Sequence, residues 1–348
     1  MKNKYLYTAF LICLVILVVF NFTEAQNKRI GTAAANELLI PVGARDFAMG
    51  GATISNTSGV EAIHWNPAGL SLIKYGAEGM FSSMSYLGDI GVSYGGVGVS
   101  FGDFGVVGLT IKSLSFGDIP LTTNEDPEGL LGRVYSPTYF TLGLTYSKSL
   151  TDAVAAGITA KMISERIDRV SASGVAFDFG VMYRNLAHIS GLNMGVTVKN
   201  IGSQMAFDGT GLYRSATSSE GYRPEQRYKT QAASFELPSS IEIGLAYVST
   251  FQENVHFSLN STFINNNLYL DEYKLGGEIG YYLSGLKLFG RAGMGMVPQA
   301  EKDANIFGGT FGAGIAYSAP GVDIIVDYAY RQTDFFDGNN VLSIKLGF

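Results

Sequence analysis

The side chains best suited to catalysis lie at 256–260, which reads His-Phe-Ser-Leu-Asn. Residues two apart on a strand share a face, so His256, Ser258 and Asn260 would point the same way. A histidine beside a serine could generate a nucleophile, but that chemistry also needs an orienting group and an oxyanion site. Because nothing in the sequence identifies those two parts, we predict a hydrogen-bond network facing a lumen, and a protein that is not an enzyme.

Metal and phosphate chemistry are disfavoured as well. The other two histidines, His64 and His188, are far apart in the sequence and lack the spacing of metal ligands. The glycine-rich stretch at 95–98 is not followed by a helix-forming sequence, as a phosphate-binding loop would be. Close packing of a strand explains it better. We therefore expect no metal and no cofactor.

The composition indicates an apolar, ordered chain. Apolar residues make up 47% of the sequence and charged residues 16%, whereas about 25% is charged in an ordinary soluble domain. This balance is opposite to that of disordered proteins. The net charge of -6 disfavours nucleic acid as a partner.

The N-terminus has the pattern of a secretory signal peptide. A short basic region precedes an apolar stretch at 6–20, and Thr23 and Ala25 suit the -3 and -1 positions of a cleavage site. We predict a signal peptide over 1–25, which would carry away Cys13, the only cysteine. A membrane anchor is the alternative, but the apolar stretch is short for a bilayer span. No later segment could form a transmembrane helix.

Alternation of apolar and polar residues at period two recurs from residue 74 onwards and predicts strands with one apolar face. The segments run about nine to thirteen residues, long enough for tilted strands that cross a membrane. We therefore predict an all-β fold, a transmembrane antiparallel β-barrel over 74–348. The fourteen predicted strands start near Lys74, Asp89, Phe104, Pro137, Ala153, Ser173, Leu192, Ser239, Asn254, Tyr273, Leu286, Ile306, Gly321 and Asn339.

The alternation also assigns side chains to the two faces of the barrel. Phe307 is expected on the lipid-facing side together with Phe311. Asp323, Asp327 and Arg331 are expected on the lumen face, where ion pairs are ordinary and a transport pathway is the minority interpretation.

Loop lengths test the barrel independently. In bacterial barrels the connections after even-numbered strands are short periplasmic turns, and those after odd-numbered strands are longer outer loops. The two longest connections, 117–136 and 201–238, both follow odd-numbered strands. Leu87-Gly88 is an odd connection that is short. The sorting favours a barrel over a soluble sandwich.

Residues 26–73 are too long for a simple tail and are predicted to form an N-terminal plug inside the barrel. Gly43, Gly50, Gly51 and Gly59 suggest tight turns there.

The stretch at 65–69, Trp-Asn-Pro-Ala-Gly, resembles a single helical turn. Asn66 can cap the turn, Pro67 suits its first position and Gly69 would end it. These plug residues, with Trp65, would serve either packing in the lumen or gating of a passage.

Longer stretches around these residues resemble a known family. Residues 41–52 read Pro-Val-Gly-Ala-Arg-Asp-Phe-Ala-Met-Gly-Gly-Ala, which includes Arg45, and 61–70 read Glu-Ala-Ile-His-Trp-Asn-Pro-Ala-Gly-Leu. The combination resembles the N-terminal signature of the PorV/PorQ family, within the wider class of long-chain fatty-acid transporter (FadL-like) barrels. Stretches within 198–212 and at 237–244 support the resemblance.

The resemblance implies an outer-membrane barrel of a Gram-negative bacterium that takes part in type IX protein secretion. Its partners would be the type IX translocon and cargo proteins with a C-terminal sorting domain, besides outer-membrane lipid. The alternative is a FadL-like transporter of long-chain fatty acids or other hydrophobic small molecules. In that case an apolar ligand would leave through a gap in the barrel wall. A barrel with a purely structural role is the third possibility.

The largest predicted outer loop, 201–238, mixes charges of both signs. Its basic residues Arg214, Arg223, Arg227 and Lys229 are candidate contacts for a protein partner. A merely solvated loop is the equal alternative.

Overall fold

The computed structural model describes residues 29–217, 224–300 and 305–348. Fourteen long antiparallel strands form a closed barrel, in which each pairs with its neighbour in the chain and the last pairs with the first. They are β1 Ala77–Ser85, β2 Gly91–Ser100, β3 Val106–Ser115, β4 Thr138–Ser149, β5 Val154–Ile167, β6 Val170–Tyr183, β7 Leu192–Gly202, β8 Ser240–Gln252, β9 Val255–Asn266, β10 Glu272–Leu283, β11 Leu286–Met296, β12 Phe307–Ala319, β13 Val322–Thr333 and β14 Asn339–Gly347. The predicted fold class and strand number are confirmed. The predicted signal peptide, 1–25, lies outside the described residues.

The strands present one apolar face outwards and a mixed face inwards. On β14, Leu342 and Ile344 are 48% and 40% exposed, whereas Ser343 and Lys345 are buried. Rows of exposed aliphatic and aromatic side chains on a closed antiparallel barrel match a surface surrounded by lipid. The architecture is that of a membrane-spanning β-barrel. None of the helices in the described ranges is long and apolar enough to cross a membrane.

The longer connections lie at one end of the barrel, which is the outer end by the loop-length rule. There the chain forms an exposed hairpin, in which Tyr213–Ala216 pairs with Gln226–Lys229. Three further short pairings tie down these loops: Ile119–Pro120 with Val134–Tyr135, Met205–Ala206 with Ser234–Phe235, and Asp208–Gly209 with the start of β6.

The described part of the N-terminal segment, 29–73, fills the lumen as a plug. It contains two short α-helices, α1 Ala44–Ala48 and α2 Ala62–Trp65, and two 3-10 helices, Asn36–Leu39 and Pro67–Leu72. The plug starts at the outer end, where the Ala34 amide donates to the Glu236 carbonyl at 2.9 Å. It finishes at the other end, where the Ser71 amide donates to Ser147 Oγ at 3.2 Å.

The hydrophobic core lies between the plug and the wall. Val60, Ile63 and Leu70 of the plug pack with Met80 and Tyr94 of the barrel. A second cluster brings Ala44, Phe47 and Ala48 against Met84, Ala329 and Val341. Burial of these groups on both sides stabilises the plug inside the lumen.

Candidate functional site

Inward-facing glycines of the wall form a socket for the plug. A Cβ atom at Gly157 would lie 2.5 Å from the carbonyl carbon of Pro67, and one at Gly180 would lie 2.1 Å from Asn66 Oδ1. At Gly293 a Cβ atom would lie 2.2 Å from the carbonyl carbon of Met49. Plug atoms therefore occupy the space that side chains would need, and these contacts fix the plug's orientation.

The predicted turn at 65–69 forms and is anchored by Asn66. Its Oδ1 accepts a hydrogen bond from the Ala68 amide at 3.1 Å, and its Nδ2 donates to the Ile54 carbonyl at 2.7 Å. Pro67 is the first residue of the helix, as expected. The expected end at Gly69 is wrong, because the 3-10 helix continues to Leu72.

Close packing explains why several plug positions are glycine. A Cβ atom at Gly69 would lie 2.6 Å from the Thr57 carbonyl oxygen. Gly51 has a φ of +73°, and a Cβ atom there would lie 2.6 Å from the Trp65 ring. At Gly50 it would lie 2.9 Å from the Met294 amide nitrogen of the wall. A side chain at any of these glycines would collide with atoms of the plug or the wall.

Trp65 is held at the upper surface of the plug. Its Nε1 donates to the Val42 carbonyl at 3.1 Å, and the Lys199 ammonium of the wall lies 5.6 Å from the centre of the indole. The neighbouring His64 ring meets the indole edge-on at 5.0 Å. Burial, reinforced by Lys112, lowers the pKa of His64 well below its usual value, so this imidazole is neutral.

A chain of buried ion pairs links the plug to the wall. Arg45 of the plug contacts Asp46 at 2.9 Å and Glu278 of β10 at 3.3 Å. Arg291 of β11 bridges Glu278 and Asp327, each at 2.6 Å. The predicted lumen position of Asp327 is thus confirmed, and its role is to hold a wall cation that supports the plug. Such a network keeps buried charges paired.

A second branch of this network passes through Glu61. Its carboxylate accepts from the Asp46 amide at 3.1 Å and meets the Lys345 ammonium at 3.4 Å. Gly43, with a φ of +79°, makes room for it, since a Cβ atom there would lie 2.1 Å from Glu61 Oε1. Burial, followed by the charge of Asp46, raises the pKa of Glu61 to about 7.

Of the residues considered for catalysis, only Ser258 and Asn260 join in the predicted hydrogen-bond network, and His256 has other partners. Asn260 Nδ2 donates to Ser258 Oγ at 3.2 Å. His256 instead lies 3.1 Å from the hydroxyl of Thr250 and stacks on Tyr282 with ring centres 3.9 Å apart. Within the described parts of the chain, no cluster of three or more His, Cys, Asp or Glu residues could hold a metal.

A chamber of about 430 Å³ lies above the plug on its outer side. This volume falls within the range of small-molecule sites. Its three lysines are all paired with acids: Lys199 lies 3.1 Å from Glu242, Lys161 lies 2.5 Å from Asp178, and Lys274 lies 3.2 Å from Glu272. Its lining mixes charged and aromatic side chains, among them Trp65, Tyr86, Lys161, Lys199, Glu242, Tyr269, Glu272, Lys274, Phe307 and Arg331. Such a chamber suits a molecule with both apolar and polar parts.

The chamber reaches a place where two wall strands part, which we call the seam. Pairing of β11 with β12 stops at Gly293 and Thr310. Beyond it, Met294–Met296 stays paired with β10, whereas Phe307 stays with β13. Gly295 and Val297 line the chamber on one side of the seam, and Phe307 and Gly308 line it on the other.

A β-bulge lies beside the seam and corrects one prediction. Phe307 pairs with Thr333 and Thr310 pairs with Arg331, so β12 carries one extra residue at Gly308-Gly309. Because of the extra residue, side chains before the bulge point to the opposite face of the barrel wall from the one that strict alternation predicts. Phe307 therefore faces the lumen rather than the lipid, while Phe311 remains 57% exposed on the outside, as expected. The adjacent glycines were the available signal for this bulge.

The predicted outer-loop contacts lie apart from the plug. Arg214, Arg227 and Lys229 are exposed on the outer hairpin, and Arg223 lies outside the described residues. Lys229 pairs with Asp208 at 2.5 Å, and Arg214 donates to carbonyl groups of its own loop.

Comparisons with known proteins identify the fold. No family model matches the sequence, and no curated protein does. Among solved structures, the monoaromatic hydrocarbon channel CymD superposes with a TM-score of 0.59 at 12% identity, covering 88% of this chain and 97% of that one. The P. putida toluene transporter TodX gives 0.55 at 15%, covering 88% and 98%. A Pseudomonas aeruginosa FadL homologue gives 0.51 at 12%, with the same coverage.

The fold is that of the FadL-type barrels. This confirms the FadL-like part of the resemblance. These comparisons give no support to the PorV/PorQ branch in particular. At such low identity they establish the architecture alone.

Proposed function

We propose that this protein transports small hydrophobic or amphipathic molecules through the outer membrane. One observation carries the proposal: the outer chamber opens onto both strands of the seam. A molecule that enters from outside could therefore pass sideways into the bilayer. The solved structures of similar fold include toluene transporters and a monoaromatic hydrocarbon channel, which supports this class of function.

The plug favours a sideways route over a vertical one. Its backbone touches wall glycines on several strands, and buried ion pairs tie it to β10. Moving the whole plug would expose these charges and leave the socket empty, at a cost of several kcal/mol for each broken buried pair. Passage at the seam requires only local change.

The chemistry of the lining deepens the proposal. Lys199 and Lys161 are matched by acids, but Arg331 has no carboxylate within ion-pair distance among the described residues. An unmatched guanidinium beside aromatic rings favours an amphipathic ligand, such as a long-chain fatty acid, over a pure hydrocarbon. Toluene is therefore the weaker of the two candidate ligands.

Binding can be tested with the single tryptophan of the sequence, Trp65. It lines the chamber, so a bound bromine-labelled ligand should quench its fluorescence. We expect saturable quenching by dibrominated stearate and weaker quenching by bromobenzene. Gly295→Phe should fill the chamber and abolish the quenching. The control Gly290→Phe, on the lipid side of β11, should leave the quenching unchanged. Absence of saturable quenching with both probes would refute the proposal.

Transport can be tested by locking the seam. The register of Gly293 with Thr310 places Gly295 opposite Gly308 if the strands were to zip. The double variant Gly295→Cys with Gly308→Cys should lose uptake of oleate when oxidised and regain it when reduced. The host should be a Gram-negative cell whose own FadL-type barrel has been deleted. Oxidation should be continued until the disulfide is seen to have formed, and uptake that is unchanged in the crosslinked protein would contradict the sideways route.

A role in type IX secretion is the second candidate, and the outer loops favour it. Leu130, Leu131 and Phe335 are 81%, 65% and 84% exposed on outer connections. Large apolar side chains in such positions suit contact with another protein. The exposed basic residues Arg214, Arg227 and Lys229, with Arg223, are candidate contacts for the same partner.

A crosslinked pulldown from native outer membranes distinguishes the two candidates. Recovery of a large translocon barrel, or of proteins that share a C-terminal sorting domain, would support secretion. The matched variants are Leu130→Ser with Leu131→Ser, which should release the partner, and Leu342→Ser on the lipid face, which should not. Recovery of the barrel alone with bound lipid or fatty acid would count against secretion.

A further inference from the structure

We propose that Arg331 acts as the gate residue that holds the seam parted. Its guanidinium lies 3.7 Å from the ring centre of Phe307 and 4.9 Å from that of Phe47. It thus joins the outer end of β12, its own strand β13 and the plug helix α1 in one stack. The purpose of such a gate rests on the transport proposed above, but its geometry can be tested without any ligand.

Asn339 of β14 fixes the guanidinium in place. Arg331 donates from Nε at 3.0 Å and from Nη2 at 2.7 Å to the same oxygen, Asn339 Oδ1. Asn339 is fully buried, so this partner has little freedom. A planar cation held at one edge presents a flat surface for stacking. The position of Arg331 is therefore set by the wall.

The stack draws Phe307 away from β11. Phe307 begins β12, and the two glycines that follow it, Gly308 and Gly309, form the bulge. Because glycine offers little resistance to backbone rotation, the end of β12 can follow its aromatic side chain. Stacking on Arg331 holds that end beside β13, and the backbone groups of Met294–Met296 are left without β12 as a partner.

The same stack depends on the position of the plug, because it includes Phe47 of the plug helix α1. Phe47 is 2% exposed and belongs to α1, which lies directly below the bulge. The carbonyl of the next residue, Ala48, accepts from Thr310 Oγ1 at 2.9 Å. A shift of α1 would remove one face of the stack and loosen Phe307. Arg331 therefore couples the plug to the width of the seam.

Disulfide trapping tests the gate directly. Cys13 is the only cysteine of the sequence and lies in the predicted signal peptide, so introduced pairs react alone. The pair Gly295→Cys with Gly308→Cys reports zipping of the seam. The pair Ala292→Cys with Phe311→Cys, already in register in β11 and β12, is the reference. We expect the seam pair to crosslink at least tenfold more slowly than the reference when Arg331 is present.

Arg331→Ala should raise crosslinking of the seam pair at least tenfold, because Phe307 is released and β12 can zip onto β11. Arg331→Lys should act in the same direction, since an ammonium lacks the planar stacking surface. Phe307→Leu provides a second route to the same effect if the arginine variants fold poorly. Arg169→Ala, on an exposed arginine paired with Asp168, is the control and should change nothing.

Two results would overturn the proposal. The first is a seam pair that crosslinks as fast as the reference with Arg331 present. The second is an unchanged rate in both Arg331→Ala and Phe307→Leu. Neither measurement involves a ligand, so the gate and the proposed function can fail separately. If crosslinking behaves as expected but the protein transports nothing, the proposed function is refuted and the gate is still supported.

Discussion

Substitution of Gly293 provides a sharp test of the socket. Gly293 and Gly290 lie on the same strand, β11, but face opposite sides. A Cβ atom at Gly293 would lie 2.2 Å from the Met49 carbonyl carbon and 2.3 Å from the Gly50 amide nitrogen. At Gly290 the nearest atom would be a side-chain carbon of Ile279 at 3.6 Å, an ordinary contact. Gly293→Ala should therefore displace the plug, and Gly290→Ala should not.

The magnitude follows from which atoms collide. Both neighbours of the Gly293 Cβ atom belong to plug backbone, so no side-chain rotation can relieve the overlap. Overpacking of this kind costs about 1–3 kcal/mol, which is about 5- to 140-fold in the equilibrium between seated and displaced plug. Gly290→Ala removes backbone freedom of the unfolded chain and should be neutral or stabilising by about 0.5–1 kcal/mol.

Amide hydrogen exchange in detergent micelles measures the seating of the plug. Exchange at 44–52 should accelerate in Gly293→Ala by the factor given above, with the barrel strands unchanged. The thermal midpoint of the barrel serves as a control for folding. Equal exchange in Gly293→Ala and Gly290→Ala would refute the socket as the element that fixes the plug.

Three further predictions concern the plug, each measured by amide exchange at 29–73. Asn66→Ala should weaken docking by about 1–2 kcal/mol, because it removes a cap and a partner of the buried Ile54 carbonyl; an unchanged plug would contradict the anchoring role. Arg45→Leu should cost about 3 kcal/mol, because Glu278 loses a buried partner, whereas Arg214→Leu on the exposed hairpin should be neutral. Burial, then the neighbouring Glu165, raises the pKa of Glu37 to about 8, so the docked plug holds a proton that an undocked one releases. Docking at the outer end should weaken as the pH rises from 4.5 towards 8, by at most about tenfold per unit, and Glu37→Gln should abolish this dependence.

The barrel was predictable because its signal is repeated. Each strand alternates at period two, and a one-residue error would turn a whole face from lipid to lumen. Fourteen such segments, joined by connections that are mostly short at one end of the barrel and longer at the other, fit few architectures other than a closed barrel. The largest error in a strand start was three residues, at Ala77 against the predicted Lys74 and at Val170 against the predicted Ser173. Positions such as Asp327 followed from this register alone.

The seam escaped prediction because it depends on a single irregularity. Alternation placed Phe307 with Phe311, and only the pairing of β12 with β13 reveals the extra residue between them. The end of the turn at Gly69 failed for a related reason. Glycine there serves contact with the Thr57 carbonyl rather than helix termination. Local rules assign glycine to turns, whereas many glycines of this chain are in close contact with atoms that are distant in the sequence.

The glycine socket and the seam constrain each other. A plug that touches the wall through backbone atoms at Gly157 and Gly293, and through side-chain atoms at Gly180, cannot tilt without colliding with one side of the barrel. Any opening must then occur where the wall itself can yield. β11 and β12 are already unpaired above Gly293, directly next to the last socket contact. Because the plug is rigid, the seam is where the wall can open most easily. Substitution of Met49 or Phe307, which lie where the plug meets the seam, should therefore alter passage of the ligand without unfolding the barrel.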